Sequence, residues 1–150
     1  MHLPSYQILE IAGNYSEFKF VSVWPNGQIQ KLVLFRLLDP EDNIYNVALL
    51  DILESGMTSD TTVSNNNDMR EILATVTRII IDYSALFPER KLFFRGSDEE
   101  GKRMAVYHRA IREYYSILQE IFFIEGFINE KVKEPFNPLN NYHAFLVKRK

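Results

Sequence analysis

The first third of the chain alternates apolar and polar residues, which is the period of a strand with one face on a core. Residues 17–23 alternate in this way, and residues 29–35 and 44–52 are two further apolar stretches that predict strands. Asn26-Gly27 favours the positive φ angles of a tight hairpin, and residues 38–43 form a second turn. Together these segments predict an antiparallel meander.

A long polar segment separates the meander from the clearest helix of the chain. Residues 54–67 are rich in Ser, Thr, Asn and Asp, and Asp68 with Glu71 forms a capping-box pattern. A helix from there to Phe87 is predicted, because Pro88 ends it and apolar residues recur at the 3.6-residue spacing of one face. Its apolar face comprises Met69, Ile72, Leu73, Val76, Ile79, Ile80, Tyr83 and Phe87.

The remaining chain predicts a strand, a second helix and further strands. Residues 91–94 form the strand, and Ser97 with Glu100 gives a second capping box. Residues 120–127 are an aromatic-rich strand, residues 129–141 a connection with two prolines, and residues 142–147 a final strand. The buried side of the second helix comprises Met104, Tyr107, Ile111, Tyr115 and Leu118. The fold class is α+β, with two helices on one mixed sheet in a single domain over residues 1–150.

Composition narrows the class of protein. Apolar residues make up 46% and charged residues 25%, as in globular domains rather than disordered chains. There is no cysteine, so disulfides and thiolate chemistry are excluded. The formal charge of −3 argues against nucleic acid as a partner, although a local basic patch could still exist. The amino-terminal residues do not resemble a signal peptide, and no apolar run is long enough to cross a bilayer. We therefore expect a soluble, cytoplasmic protein that does not partner a membrane.

Several stretches carry a more specific pattern. They are Gly27-x-Ile29-x-Lys31-x-Val33-x-Phe35, Tyr45-Asn46-Val47-Ala48, Ser64 to Asp68 through Leu73-Ala74-Thr75-Val76, Phe94-x-Gly96-Ser97, and Tyr142-x-x-Phe145-Leu146-Val147-x-Arg149-Lys150. These residues resemble an uncharacterised bacterial domain family, a domain of unknown function, over nearly the whole chain. That family has glycine where Asn67 stands and a second arginine where Ala105 stands. The resemblance implies a shared fold and supplies no activity.

The order of elements is also similar, in topology alone, to the core of GNAT-type acyltransferases. In those enzymes a glycine-rich loop before the first helix cradles the phosphates of the cofactor. Here residues 63–68 contain no glycine, so side chains stand where bare backbone would be needed. A transferase that uses a CoA-type or nucleotide-type substrate is therefore the alternative hypothesis.

The two predicted helix starts are the best candidates for a ligand site. Backbone N–H groups at a helix start favour anions, and arginine binds phosphate or carboxylate through two hydrogen bonds. The alternative is ordinary capping and turn formation, and Asp98, Glu99 and Glu100 also offset nearby positive charge. The candidate ligand-binding residues are Ser64, Asn65, Asn66, Asn67, Arg95, Gly96, Ser97 and Arg103.

Other residues with reactive side chains have simpler explanations. Asp51 could serve as a general base if buried, but a strand-end residue that faces water is the commoner case. The histidines lack metal-ligand spacing, so no metal is expected, and His108 beside the helix stripe predicts a partly buried structural residue. An aromatic strand edge near Phe122 could support a homodimer.

No cofactor or catalytic residue is identified. The sequence thus favours a binding or regulatory module for a protein partner or an anionic small molecule.

Overall fold

The computed structural model describes residues 5–23, 27–52, 55, 58–59, 69–96 and 102–150; at positions 58, 59, 102 and 103 it describes the backbone alone. The order of elements follows the pattern predicted from the sequence. The helices are α1 (Met69–Leu86), α2 (Lys102–Glu113) and α3 (Tyr115–Ile121). The strands are β1 (Glu10–Ala12), β2 (Glu17–Val23), β3 (Gln28–Asp39), β4 (Ile44–Ile52), β5 (Thr58–Ser59), β6 (Lys91–Phe94), β7 (Phe122–Phe127), β8 (Lys133–Pro135) and β9 (Ala144–Arg149).

These strands form one mixed sheet in the order β1-β2-β3-β4-β6-β9-β7-β8, with β5 paired to β4. The meander is confirmed, because β2, β3 and β4 pair antiparallel in sequence order. In the described sheet β4 and β6 are parallel, and the other neighbouring strands are antiparallel. The chain needs α1 to make that parallel connection, since two parallel neighbours cannot be joined by a tight turn.

The described helices cover one face of this sheet. Tyr83 of α1 stacks on Phe35 of β3 with a ring-centroid distance of 3.7 Å. Tyr107 of α2 meets the edge of Phe94 of β6, and Leu118 of α3 lines a small apolar cavity beside β7. The apolar stripes predicted for the helices therefore form the core, and the α+β class is confirmed.

Several boundaries differ from those predicted. The second helix is divided at Tyr114 into α2 and α3, and the following strand begins at Phe122 rather than at residue 120. The predicted connection over residues 129–141 contains the short strand β8, and β1 was not predicted. The capping residues Asp68, Ser97 and Glu100 lie outside the described residues. Within the described part of the chain, no helix is long and apolar enough to span a membrane.

Candidate functional site

Both long helices begin at the same edge of the sheet. Because β4 and β6 are parallel, their carboxyl ends lie at one edge, and α1 and α2 follow those ends in the chain. Each helix then runs back across the sheet, and the two helices pack against each other. We call this region the helix-start edge and define it by the carboxyl ends of β4 and β6 and the first turns of α1 and α2.

The structure describes part of the predicted ligand site. Arg95 directly follows β6 at the helix-start edge and is exposed, and Gly96 beside it is half-buried. Arg103 lies in the first turn of α2, but its side chain is outside the described residues. Ser64, Asn65, Asn66, Asn67 and Ser97 also lie outside the described residues. The grouping of these side chains therefore stays a prediction.

A buried ion pair lies near the helix-start edge and was not predicted. The Lys31 ammonium and an Asp51 carboxylate oxygen are 2.6 Å apart, and each side chain is 3% exposed. The two residues are directly opposite each other on β3 and β4. They lie on the helix-covered face, in phase with Val33 and Leu49 of the core. Both charges are thus removed from water, and each lies within ion-pair distance of the other.

This arrangement corrects the reading of Asp51 as a strand end that faces water. The residue is near the end of its strand, but the helices cover the face to which its side chain belongs. Sequence reasoning also missed Lys31. The available signal was the position of Lys31 in the strand. Lys31, Val33 and Phe35 are two residues apart and therefore lie on the same face, and Val33 and Phe35 are apolar.

Tyr107 occupies the space that opens between β4 and β6. The parallel pairing ends at Val47 and Phe94, whereas β4 continues to Ile52. Beyond that point the backbone N–H of Leu49 donates a 3.0 Å hydrogen bond to the Tyr107 hydroxyl. Tyr107 is 4% exposed, so its predicted core role is confirmed. Its hydroxyl also satisfies a strand N–H that a neighbouring strand would otherwise bond.

The first turns of α1 are tied to the start of the chain. The Thr75 hydroxyl donates to the Glu71 carbonyl and accepts a 2.8 Å hydrogen bond from the backbone N–H of Tyr6. The Tyr6 ring stacks on Phe20, which is opposite Lys31 in the register of β2 and β3. The ion pair therefore lies in a contiguous, packed region that includes the beginning of α1.

His108 of α2 is a buried structural residue, as its position beside the helix stripe predicts. Its Nε2 accepts a 3.2 Å hydrogen bond from the backbone N–H of Tyr142, and the two rings stack. The neutral ring must then carry its proton on Nδ1, which is buried and has no hydrogen-bond partner among the described residues. Burial, and secondly the Arg112 guanidinium, lowers the pKa of His108 below its ordinary value of 6.5.

We expect this histidine to make the fold sensitive to acid. Below pH 6.5 the ring in the unfolded chain binds a proton that the folded ring, with its lowered pKa, does not bind. The stabilisation is therefore complete above that pH and is lost as the pH falls towards the folded pKa, with a slope of up to about 1.4 kcal/mol per pH unit. Urea unfolding between neutral and mildly acidic pH measures this slope.

His108→Gln is the matched control, because the glutamine oxygen can accept from Tyr142 but does not titrate. The free energy of unfolding of this variant should fall less steeply with acid than that of the original chain. Identical slopes for the two proteins would show that His108 does not carry the effect.

Among the described residues, no group of three or more histidine, aspartate and glutamate side chains could hold a metal ion.

A family model described as "Family of unknown function (DUF6934)" matches residues 2–150. No curated protein and no solved structure matches the chain.

Proposed function

We propose that this chain, which belongs to DUF6934, a family of unknown function, is a binding module for an anionic small molecule at the helix-start edge. The observation that carries the proposal is the buried pair of Lys31 and Asp51 close to that edge. The other ion pairs between described residues are exposed or partly exposed. A buried ion pair contributes little to stability, because the desolvation cost of its two charges offsets their attraction. Local features that do not favour a stable core are expected mainly at functional sites.

Two further features support an anionic ligand. The first turns of α1 and α2 share this edge, and unpaired backbone N–H groups at a helix start favour negative charge. Arg95 is exposed at the same edge, and no carboxylate of a described residue lies within 4.0 Å of its guanidinium. The predicted residues Ser64, Asn65, Asn66, Asn67, Ser97 and Arg103 would complete the site.

The alternative is a GNAT-like transferase, and the parallel pair of β4 and β6 favours it. That pair ends at Val47, so the strands adjoin a gap into which a substrate arm could enter. Tyr107 opposes this reading, since its hydroxyl already bonds the Leu49 N–H in the gap. The missing glycine loop before α1 opposes it as well. We therefore favour binding without group transfer.

The proposal includes a cytoplasmic location and allows for a protein partner or a homodimer.

The predicted dimer contact near Phe122 moves to the next residue, because Phe122 is buried whereas its neighbour Phe123 is 60% exposed. Gel filtration with light scattering tests self-association. A dimer that Phe123→Ser converts to a monomer would support a contact between two copies at this strand.

Thermal unfolding with a panel of nucleotides, acyl-CoAs and phosphorylated metabolites tests the proposed ligand class. A ligand at one hundred times its dissociation constant should raise the free energy of unfolding by about 2.7 kcal/mol. For a chain of this length we expect the midpoint to rise by about 2–4 °C per kcal/mol. Arg95→Ala and Arg103→Ala should each reduce the shift, because each removes a cation from the site.

Lys19→Ala is the matched control, since Lys19 lies on β2 and pairs with Glu10 away from this edge. It should leave the shift unchanged. If neither arginine substitution alters any stabilising ligand, the site is wrongly placed. If an acyl-CoA stabilises the chain and its acyl group is transferred to an amine, the transferase alternative replaces the proposal.

A further inference from the structure

A second polar surface lies at the other end of β6 from Arg95. It is a groove of about 540 Å³ beside β7, next to the point where the pairing of β7 with β8 ends at Glu125, and Tyr115 and Gln119 of α3 also line it. The residues that matter here are Lys91 of β6, Phe123 and Glu125 of β7, Lys133 at the start of β8, and Lys148 and Lys150 on and after β9. We call it the lysine groove.

The lysine groove carries positive charge in an acidic chain. Four lysine side chains and one glutamate line it, and Glu125 is already paired to Lys133 at 3.2 Å. No carboxylate of a described residue lies within 4.0 Å of the ammonium groups of Lys91, Lys148 or Lys150. Like charges gathered on one surface repel one another, so an anion bound among them is favoured. The charge of the groove therefore complements an anionic ligand.

An aromatic ring is exposed in the same groove. The Phe123 side chain is 60% exposed, and the Lys150 ammonium lies 5.4 Å from its ring centroid. The ammonium thus lies over one face of a solvent-exposed ring, and exposed aromatic rings among cations are the side chains on which proteins stack planar bases. The ligand should therefore combine a flat ring with negative charge.

Strand register sets the distance between ring and cations. Phe123 is directly opposite Lys148, and Lys91 precedes Leu92, whose partner on β9 is Val147. The three side chains thus form a row across β7, β9 and β6 on the face turned away from the helices. Neighbouring strands are about 4.8 Å apart, so the row spans about 10 Å. This length is comparable with that of a nucleotide from its base to its second phosphate.

We propose that the lysine groove binds a nucleoside diphosphate or triphosphate, with the base on Phe123 and the phosphates at Lys148 and Lys91. Its volume is in the range of small-ligand sites, about 300–1,000 Å³. It offers one widely exposed ring, enough for one base, and the net charge of −3 disfavours a polymeric phosphate backbone. The observations therefore favour a free nucleotide over a nucleic-acid strand. This site is independent of the one proposed at the helix-start edge.

Isothermal titration calorimetry with ADP, ATP and GTP tests the proposal, with adenosine and inorganic pyrophosphate as the two halves of the ligand. We expect the whole nucleotides to bind more tightly than either half. Phe123→Ala should weaken nucleotide binding about tenfold through lost stacking and leave pyrophosphate binding unchanged. Lys148→Ala should weaken both, and Lys91→Ala with Lys148→Ala should weaken them further. Lys148→Arg should retain binding, because it keeps the charge.

The controls separate this groove from the helix-start edge. Lys19→Ala lies on the same sheet face outside the groove, so it should not change nucleotide affinity. Nucleotide binding that is lost in Arg95→Ala and kept in Lys148→Ala would overturn the proposal and assign the ligand to the other site. Absence of binding at millimolar nucleotide would overturn it too. So would binding of a ten-nucleotide single strand without binding of free nucleotides.

Discussion

Replacing Asp51 with alanine is expected to lower the free energy of unfolding by about 3–5 kcal/mol. The substitution removes the carboxylate 2.6 Å from the Lys31 ammonium and leaves a cation whose side chain is 3% exposed. The buried ammonium keeps its desolvation cost and loses the compensation that this carboxylate supplied. Urea unfolding followed by circular dichroism measures the loss, which should also lower the thermal midpoint by about 2–4 °C per kcal/mol.

An exposed ion pair provides the matched comparison. Glu10→Ala removes a 3.3 Å pair with Lys19 whose side chains are 56% and 34% exposed, and should cost no more than about 0.5 kcal/mol. Lys31→Met combined with Asp51→Leu should be less destabilising than Asp51→Ala alone, because it removes the buried ammonium together with the carboxylate. If Asp51→Ala costs as little as Glu10→Ala, the pair does not contribute as a buried unit.

Tyr83→Ala is the second substitution with a large expected effect. Tyr83 is 1% exposed, its ring lies parallel to Phe35, and it meets the ring edge of Phe18. Removing such a ring should cost about 3–5 kcal/mol, because the surrounding side chains can close the cavity only partly. The same unfolding measurements apply.

Tyr83→Phe separates the ring from its hydroxyl. The hydroxyl accepts a 2.7 Å hydrogen bond from Arg90, whose guanidinium also stacks over Phe87 and Tyr45. Burial outweighs this contact and raises the pKa of Tyr83. Losing the hydroxyl alone should cost about 1 kcal/mol. If the phenylalanine and alanine variants are equally unstable, the hydrogen bond rather than ring packing dominates at this position.

The elements with long periodic patterns were predictable. Helix α1 runs from Met69 to Leu86, close to the predicted bounds, because its apolar spacing persists over several turns. Strands β1 and β8 are short, so no alternation could identify them. Helix α3 extends to Ile121, past residue 120 where the strand was predicted to begin, and its Leu118 belongs to the core.

The candidate site was less accessible to sequence reasoning. The polar residues beside the helix starts were identified by type, but their spatial grouping requires coordinates. Lys31 and Asp51 are far apart in the chain and meet because β3 and β4 pair in one particular register. Phe123, Lys148 and Lys91 likewise form a row because β9 lies between β7 and β6. A single sequence predicts where strands lie, but it does not show the order or the register in which they pair.

The sequence by itself determined the α+β class, the meander, the helix α1 and the apolar faces that the helices bury, since these depend on local periodicity and turn chemistry. The tertiary structure decided the strand order, the burial of one ion pair and the position of the lysine groove. Those features depend on contacts between residues distant along the chain, and the energy of such contacts exists only once the sheet has assembled.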